Sequence, residues 1–466
     1  MFRKVQHIHF TGIGGAGMSG IAEILLNMNF YVSGSDAAAT DRTAHLEALG
    51  GKIYRGHDAR FIKGADVLVY SSAIREDNVE VAAAREKKVP VIPRAEMLAE
   101  LMRLKYGIAV AGAHGKTTTT TMIAALLSEG GLDPTSVIGG KVNSFDGHAK
   151  KGEGEFLIAE ADESDGSFLK LSPSIAVVTN LDNEHLDYYK TFEALKKTFL
   201  DFMNKVPFYG LVILCGDDPI LKEMLPHIEK RCLTYGTSDE AALRAEAIAY
   251  QPWKSTFDVC FQGESLGRFE LPAPGRHNVL NALAAIAVGI ELDLPATVIR
   301  QGIAAFPGIE RRFQLRGEKE GVLVVDDYGH HATEIRAAIA AAKQGWDREL
   351  IVVFQPHRYT RTRDCLDTLA EAFGEADHLI LTEIYPAGEN PLPGITGERL
   401  FKKVLEHRKQ TTHFFKGFTE IEDTLARITK PGMMLLTLGA GDIWQVGQRF
   451  LSATRNTQRT KEDDRD

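Results

Sequence analysis

The stretch GIAVAGAHGKTTTTTM (residues 107–122) carries the strongest structural signal in the chain. Its apolar start predicts a short buried strand, and the apolar spacing of the residues that follow the turn predicts a helix. A glycine-rich turn lies between the two and ends in Lys116 and Thr117. Such a turn directs backbone N–H groups, the N-terminus of a helix and an ammonium group towards one point, which suits a polyphosphate. The stretch therefore predicts ATP binding.

The turn departs from the full Walker pattern at one position. That pattern has a glycine five places before Gly115, where this chain has Val110. The flanking strand and helix still favour a phosphate loop over a glycine-rich turn that carries a surface lysine. In such a loop the lysine reaches the β- and γ-phosphates, and the threonine after it offers its hydroxyl to Mg²⁺. The predicted ATP-binding residues of the turn are Gly112, Ala113, His114, Gly115, Lys116, Thr117 and Thr118.

Length and composition limit the class of protein. A chain of 466 residues is too long for one hydrophobic core and predicts two to four domains. The net charge of −9 argues against a nucleic-acid-binding protein, which is usually basic. The four cysteines are far apart and form no CxxC pair, so we expect reduced thiols and no zinc site. Neither a signal peptide nor a membrane-spanning run is recognisable, which predicts a cytoplasmic protein that does not bind membranes.

Apolar runs of strand length alternate with amphipathic segments along most of the chain, which predicts parallel sheets wound with helices. We expect an α/β protein with a Rossmann-like N-terminal domain (1–104), a central α/β domain of the P-loop ATPase type (105–312) and a C-terminal Rossmann-like α/β domain (313–452). Shorter alternating segments over 235–269 indicate an antiparallel portion. The polar, charged residues 453–466 predict a disordered tail.

A second glycine-rich turn, GIGGAG, follows the first predicted strand, and Asp36 ends the next strand at about the distance that a dinucleotide site requires. The pattern alone is weak, because tight packing of a strand against a helix also explains it. A pyrophosphate of NAD or of a nucleotide-sugar diphosphate would satisfy the same backbone donors. Ser71 and Ser72 follow a later buried strand and form a plausible second loop for this ligand. The candidate residues are Gly12, Gly14, Gly15, Ala16, Gly17, Met18, Ser19, Asp36, Ser71 and Ser72.

Acidic residues follow two further predicted strands of the central domain. Glu160 comes directly after an apolar run and is the best candidate for a Mg²⁺ ligand, since carboxylates commonly bind this ion beside phosphates. His185 follows the next strand and could bind a second metal ion, with Asp182 and Asp187 as further oxygen ligands. A solvated acidic loop and a histidine with a structural hydrogen bond are the alternatives.

Polar clusters also lie in the segments 275–281, 311–313, 326–334 and 355–363. The last of these is an array of basic residues after a buried strand. Because the planar guanidinium of arginine suits phosphate and carboxylate groups, this array indicates an anion site. Each cluster taken singly could be a surface loop.

The chain resembles the Mur ligase family of cell-wall peptide synthetases. The similar segments occur in the family's order and reach over nearly the whole chain apart from the tail: 7–19, 112–120, 160–167, 179–187, 275–281, 326–334 and 355–363. The resemblance implies an ATP-dependent carboxylate–amine ligase with one domain each for a UDP-sugar, ATP and an amino acid. It implies UDP-N-acetylmuramate, L-alanine and ATP as small-molecule partners and two Mg²⁺ ions as cofactors. Whether the protein is a monomer or a homodimer stays open.

The resemblance also implies roles for individual residues. Thr117 and Glu160 would bind one Mg²⁺ ion, His185 would bind the other, and Arg312 would stabilise the γ-phosphate. The residues implied at the adenine and ribose are His277, Asn278 and Asn281, and Asp326 or Asp327. The residues implied on the acceptor side are Tyr328, His330, His357, Arg358 and Arg361.

Two positions depart from the family pattern. Ala113 replaces a usual threonine, a mild change because backbone N–H groups do most of the binding. Several members carry a carbamylated lysine, but Lys196 and Lys197 follow His185 too closely and Leu200 lies near the expected position. We therefore assign no carbamylated lysine.

Three alternative functions differ in class or in substrate. A related recycling ligase attaches a tripeptide to the same sugar. An NAD-dependent oxidoreductase would use the turn at Gly12–Gly17, and a nucleotide-regulated binding protein would lack ligase chemistry. The second phosphate loop and the acidic clusters speak against the oxidoreductase. Preference for L-alanine over glycine or serine does not follow from the sequence.

Overall fold

The polypeptide folds into three sheets, as seen in a computed structural model that describes residues 4–71, 73–138 and 149–453. Contacts divide the chain into two units, Met1–Glu310 and Arg311–Asp466. The first unit contains two of the sheets and the second unit contains one. Ser72 and nearly all of the predicted tail lie outside the described residues.

The first sheet has five parallel strands in the order β3-β2-β1-β4-β5. Its central strands are largely buried and place the polar side chains of His9, Thr11, Ser33 and Ser35 in the interior beside apolar ones. Gly12 begins the turn into the first helix with φ of 81°, a conformation that favours glycine. The elements are β1 His7–Thr11, α1 Ala16–Asn27, β2 Tyr31–Asp36, α2 Asp41–Ala48, β3 Lys52–Arg55, β4 Val67–Tyr70, α3 Val79–Glu86, β5 Val91–Pro93 and α4 Arg94–Met102.

The second sheet has ten strands in the order β15-β14-β13-β12-β11-β10-β6-β9-β7-β8. Its centre is parallel and fully buried, and β13, β14 and β15 pair antiparallel, which confirms the antiparallel portion predicted over 235–269. The elements are β6 Tyr106–Ala111, α5 Lys116–Glu129, β7 Thr135–Val137, β8 Ala149–Lys150, β9 Phe156–Glu160, β10 Ile175–Val178, α6 Leu186–Tyr189, α7 Phe192–Asn204, β11 Leu211–Cys215, α8 Pro219–Met224, β12 Cys232–Gly236, β13 Leu243–Gln251, β14 Lys254–Phe261, β15 Glu264–Leu271, α9 Arg276–Glu291 and α10 Ala296–Ala304.

The third sheet, in the second unit, has the order β16-β17-β21-β18-β19-β20. All of its pairs are parallel except the one between β16 and β17. The elements are β16 Gln314–Lys319, β17 Val322–Asp327, α11 Ala332–Gly345, β18 Leu350–Phe354, α12 Tyr359–Asp364, α13 Leu366–Ala370, β19 His378–Thr382, α14 Gly397–His407, β20 Thr412–Phe415, α15 Phe418–Ile428, β21 Met434–Leu438 and α16 Trp444–Ser452. The predicted α/β fold with three domains is confirmed.

Parallel strands bring the predicted polar residues to common edges, because their carboxyl ends point the same way. In the second sheet β6, β9 and β10 are neighbours, and each is followed by a predicted site segment. Ligands of open α/β sheets bind at this edge. Among the described residues no helix is both long and apolar enough to cross a membrane.

Candidate active site

The turn between β6 and α5 requires glycine at two positions. Gly112 has φ of 130°, and an added Cβ would lie 2.1 Å from Oγ1 of Thr179. Gly115 has φ of 82°, and a Cβ there would lie 2.5 Å from Oδ1 of Asn281. Since a real Cβ never approaches other atoms this closely, neither site accepts a side chain without a shift of its neighbours.

The same turn is fastened to the end of β10 by Asn180, a residue that sequence reasoning did not single out. The backbone N–H of His114 donates to Oδ1 of Asn180 at 2.8 Å, and Nδ2 of Asn180 donates to the carbonyl of His114 at 3.0 Å. The backbone N–H of Ala113 donates to the carbonyl of Asn180 at 3.1 Å. These bonds fix the turn against the neighbouring strand.

The ammonium of Lys116 lies inside the turn. It donates to the carbonyls of Gly112 at 2.5 Å and Ala113 at 3.2 Å, and to Oε1 of Glu163 at 2.7 Å. Burial lowers the pKa of Lys116, but the carboxylate of Glu163 more than offsets this effect, and the pKa is raised. The lysine therefore stays protonated. Its present partners are oxygen atoms, and the oxygen atoms of a phosphate could take their place.

Carboxylates and a histidine surround this lysine. The hydroxyl of Thr117 donates to Oε2 of Glu160 at 3.2 Å, so the predicted pair of metal ligands is brought together. Nε2 of His185 lies 3.6 Å from Oε1 of Glu163. Burial lowers the pKa of His185, yet the negative charges of the nearby Glu163 and Glu184 raise the pKa above the ordinary value. Oε2 of Glu163 is buried and has no hydrogen-bond partner among the described residues.

A second group of ligand atoms lies beside the first. Nε2 of His114 is 3.0 Å from Oδ2 of Asp182 and 3.4 Å from Oε1 of Glu184, and these three side chains could hold one metal ion. Sequence reasoning placed His114 with the phosphates and did not select Glu184 or Glu163. The side chain of Asp187 lies outside the described residues. The surplus of carboxylate oxygens fits a divalent cation such as Mg²⁺.

The residues predicted near adenine lie at the start of α9. Nδ2 of Asn278 donates to the carbonyl of Pro274 at 2.7 Å. Oδ1 of Asn281 accepts from the hydroxyl of Thr119 at 3.2 Å, so Asn281 also packs beneath the phosphate turn. His277 adjoins them on the same helix. Their contact with adenine stays a prediction.

The glycine turn of the first domain is held by β2. The backbone N–H groups of Gly12 and Ile13 donate to the carbonyl of Ser35, and that of Gly14 donates to Oδ2 of Asp36 at 2.8 Å. Asp36 therefore helps to fix the backbone conformation of the turn. A Cβ added at Gly17 would lie 2.5 Å from Nη1 of Arg94.

The other candidates for the UDP-sugar differ in exposure. Met18 and Ser19 are buried, and Gly15 is exposed. The backbone N–H of Ser71 donates to the carbonyl of Thr11 at 3.2 Å, which joins Ser71 to the edge that carries the turn. Ala16 begins α1, but its side chain lies outside the described residues. Their contacts with a ligand stay predictions.

Arg94, which sequence reasoning missed, connects the first domain to the acidic segment of the central domain. Its Nη2 donates to Oδ2 of Asp162 at 2.9 Å. Asp162 also accepts from the hydroxyl of Ser164 at 2.7 Å. Burial raises the pKa of Asp162, but these hydrogen bonds and the charge of Arg94 bring the pKa below its ordinary value.

In the second unit both predicted ribose ligands are buried and have internal partners. Asp326 accepts from Nε of Arg311 at 2.9 Å and from the hydroxyl of Thr437 at 2.6 Å. Asp327 accepts from the backbone N–H groups of Gly329 and Phe313. Burial raises the pKa of Asp327 to about 6. The choice between the two carboxylates stays open.

The predicted acceptor residues and Arg312 also lie in this unit. Nη1 of Arg312 is 3.4 Å from Oε1 of Glu334, and its guanidinium lies 5.5 Å from the ring centre of Tyr328. The rings of His330 and His357 are 5.6 Å apart. Arg358 immediately precedes α12, and Nη1 of Arg361 in that helix lies 3.0 Å from Nδ1 of His357. The structure thus brings the predicted cluster together.

Burial keeps both of these histidines neutral at pH 7. It lowers the pKa of His330 to about 3 and, with the nearby Arg361, the pKa of His357 to about 4. Because a guanidinium only donates, Nδ1 of His357 accepts from Arg361.

Family models match each of the three domains. Residues 7–106 match the Mur ligase family, catalytic domain, residues 110–289 the Mur ligase middle domain, and residues 311–441 the Mur ligase, glutamate ligase domain. The chain belongs to the Mur ligase family. The resemblance inferred from the sequence motifs is confirmed.

Several known proteins are similar to this Mur ligase over nearly their whole length. The UDP-N-acetylmuramate–L-alanine ligase of Geotalea uraniireducens is 54% identical and covers 97% of this chain and 98% of its own. The ligase of the same name from Geobacter sulfurreducens is 53% identical, with the same coverage. The crystal structure of UDP-N-acetylmuramate-alanine ligase from Thermotoga maritima has a TM-score of 0.80 and 29% identity over 96% of this chain and 98% of its own. A murein peptide ligase from Psychrobacter arcticus has a TM-score of 0.68 and 25% identity over 98% and 100%.

Proposed function

We propose that this Mur ligase uses ATP to join L-alanine to the lactyl carboxylate of UDP-N-acetylmuramate. The products are UDP-N-acetylmuramoyl-L-alanine, ADP and phosphate, and the reaction serves peptidoglycan synthesis. The observation that carries the proposal is the phosphate turn, in which a protonated Lys116 lies among carboxylates at the carboxyl edge of the central sheet. Relatives of 53–54% identity named UDP-N-acetylmuramate–L-alanine ligase support the choice of substrates.

A carboxylate does not condense with an amine in water without activation, so the reaction begins with phosphoryl transfer. An oxygen of the lactyl carboxylate attacks the γ-phosphorus of ATP, the bond to the β-phosphate oxygen breaks, and ADP leaves an acyl phosphate behind. Two anions approach each other in this step, which requires positive charge and N–H donors. The ammonium of Lys116 and the backbone N–H groups at the start of α5 supply both.

The residues around the turn fit divalent cations, since Glu163 has a buried oxygen without a hydrogen-bond partner among the described residues. Thr117 and Glu160 would hold one Mg²⁺ ion, and His185 would hold the other. When bound, Mg²⁺ supplies further positive charge beside the phosphates. The number of ions stays a prediction.

The neutral amine of L-alanine then attacks the carbonyl carbon of the acyl phosphate and loses a proton to water, and the tetrahedral intermediate expels phosphate as the acyl C–O bond breaks. Arg358 and Arg361 are suited to bind the carboxylate of the incoming amino acid, because a guanidinium matches a carboxylate with two donors. The neutral ring of His330, whose Nδ1 donates to the carbonyl of Tyr328, offers Nε2 as an acceptor to its amine, whereas His357, whose Nδ1 accepts from Arg361, presents an Nε2–H donor. These roles, and that of Arg312, rest on the family resemblance.

The variant Lys116→Ala tests the phosphate turn. We expect it to release phosphate at least a hundredfold more slowly than the wild type and still to bind UDP-N-acetylmuramate, because the sugar nucleotide is assigned to another domain. Lys105→Ala is the matched control: Lys105 precedes β6, at the opposite end of the same strand, and donates to the carbonyls of Gly152 and Gly154. Near-normal turnover of Lys116→Ala would refute the assignment.

The substrate is tested by phosphate release with wild-type protein, ATP, Mg²⁺ and UDP-N-acetylmuramate. L-alanine should support the fastest release, ahead of glycine, L-serine and the cell-wall tripeptide. A preference for the tripeptide would identify a recycling ligase instead. Tight NAD(H) binding without ATP turnover would contradict the whole assignment. Cytoplasmic location and a monomeric or homodimeric state stay predictions that fractionation and light scattering can check.

A further inference from the structure

A fully buried carboxylate in the first domain takes no part in the proposed chemistry. Glu80, in α3, lies under the carboxyl edge of the first sheet and has no exposed surface. Its Oε2 accepts from the hydroxyls of Thr11 at 2.8 Å and Ser35 at 2.7 Å, and lies 3.3 Å from Nε2 of His9. Its Oε1 accepts from the backbone N–H of Asp58 at 3.2 Å. A buried charge with this many donors is expensive to assemble, and it connects the two strands β1 and β2 to the loop that follows β3.

Hydrogen bonds keep this carboxylate ionised. Burial alone would raise the pKa of Glu80, but the bonds from His9, Ser35 and Thr11 bring the pKa below its ordinary value. An ionised carboxylate only accepts hydrogen bonds. The hydroxyl proton of Ser35 therefore points to Glu80.

The direction of the Ser35 hydroxyl determines which ring nitrogen of the neighbouring His57 carries a proton. Oγ of Ser35 lies 2.9 Å from Nδ1 of His57. Because the hydroxyl of Ser35 already donates its one proton to Glu80, Nδ1 of His57 must carry the proton of the bond to Ser35. Oε1 of Glu80 lies 3.6 Å from the same nitrogen and favours the same arrangement. In the neutral ring this leaves Nε2 of His57 as an acceptor, and none of the described residues hydrogen-bonds to it.

His57 belongs to the edge that carries the glycine turn. It follows β3 and is partly exposed, with 23% of its side chain accessible. The backbone N–H of Gly56, the residue before it, donates to the carbonyl of Asp36. Asp36 and Ser35 hold the glycine turn through Gly14, Gly12 and Ile13, as described above. One segment of β2 thus positions both the turn and His57.

We propose that Glu80 is a positioning residue of the nucleotide-sugar site, which acts through Ser35 to hold the His57 proton on Nδ1 and so presents Nε2 as an acceptor to an N–H or O–H group of the uridine nucleotide. The inference rests on the proposed function, since it assumes that the first domain binds a uridine diphosphate sugar. It adds two residues to that site: Glu80, which contacts no ligand, and His57, which contacts the nucleotide.

Binding of UDP-N-acetylmuramate to the full-length protein, measured by calorimetry, tests the inference through a double-mutant cycle. Glu80→Gln keeps the volume of the side chain but no longer directs the Ser35 proton, and His57→Asn keeps a group near Nδ1 but removes Nε2. We expect each variant to weaken binding about 3- to 10-fold, as the loss of one hydrogen bond does. The double variant should bind no more weakly than the weaker single variant, because both remove the same bond.

Controls separate this role from general damage to the domain. Glu86→Gln changes an exposed carboxylate at the end of the same helix and should bind as the wild type. ATP affinity should be unchanged in all variants. Should Glu80→Gln fail to fold, Ser35→Ala removes the same connection and is expected to give the same loss.

Two results would overturn the inference. One is unchanged affinity for UDP-N-acetylmuramate in Glu80→Gln or Ser35→Ala. The other is a double variant whose fold-loss of affinity equals the product of the fold-losses of the two single variants. If the wild-type protein does not bind UDP-N-acetylmuramate, the proposed function itself is contradicted.

Discussion

Glu163 is the closest charged partner of Lys116, and no sequence pattern distinguishes it from the acidic residues around it. Replacing it with glutamine removes the 2.7 Å ion pair and leaves the buried ammonium with weaker partners. We expect Glu163→Gln to lower the free energy of unfolding by about 1–3 kcal/mol and to slow phosphate release at least tenfold. Glu155→Gln, an exposed residue before the opposite end of β9, is the matched control for both measurements. Unchanged turnover would show that Glu163 has no role at the turn.

His330 gives the second unit a stability that depends on pH. Its pKa falls from 6.5 to about 3 because the ring is buried, so below pH 6.5 the unfolded chain binds a proton that the folded chain refuses. Stability is therefore lost as the pH falls from about 6.5 towards 3, at up to about 1.4 kcal/mol per pH unit. The free-energy difference between wild type and His330→Gln should shrink by about 2 kcal/mol from pH 7 to pH 5. His407→Gln, at an exposed site of the same unit, should show no such change.

The candidate site could be predicted from the sequence where a residue ends an apolar run or follows the turn after one. Glu160 ends β9, Lys116 follows the glycine-rich turn after β6, and the structure brings Thr117 and Glu160 together at 3.2 Å. Glu163 and Arg94 lie further along loops or in another domain, so their partners depend on tertiary packing. Asp36 was expected at the nucleotide, whereas the structure shows it holding the backbone of Gly14. The polar residue that ends a strand can brace a turn as readily as it can bind a ligand.

Among helices and strands, the central strands were the most predictable. The runs LIVVF (350–354) and HLILT (378–382) coincide with β18 and β19, since a strand buried on both faces needs no alternation of polar and apolar residues. The sequence does not indicate the edge strand β16, because its residues are largely polar and half exposed. Pairing with β17 stabilises it, and this antiparallel partner lies only a few residues away.

Helices α5 and α10 pack so closely that an added methyl group does not fit between them. A Cβ at Gly302 in α10 would lie 2.6 Å from Cα of Leu126 in α5, a contact with backbone that no rotamer change relieves. We expect Gly302→Ala to lower the free energy of unfolding by about 1–3 kcal/mol, as overpacking does, when measured by denaturant titration. Gly216→Ala is the control, since a Cβ there meets nothing closer than 3.5 Å. Equal stability of the two variants would mean that α10 moves away freely.

In the whole chain, the division after Glu310 makes the second unit a candidate for independent folding. Its six-stranded sheet has a core drawn from its own residues, among them Val324, Val353 and Leu435. Arg311, the first residue of the unit, donates to Asp326 and to the carbonyls of Gly439 and Gly441. Arg311 therefore connects β17 to the segment that follows the neighbouring strand β21.

A fragment of residues 311–453 should accordingly unfold in one cooperative transition, followed by circular dichroism in denaturant. The same fragment with Arg311→Met should lose about 3–5 kcal/mol of unfolding free energy, because Asp326, which has no exposed surface, would keep a buried charge without its cation. Among the described residues, the hydroxyl of Thr437 would then be the remaining side-chain donor to that carboxylate. Arg316→Met, a half-buried arginine in β16 of the same fragment, is the control and should cost less than about 1 kcal/mol. A fragment without a cooperative transition would contradict independent folding, and equal stability of the two arginine variants would contradict the role given to Arg311.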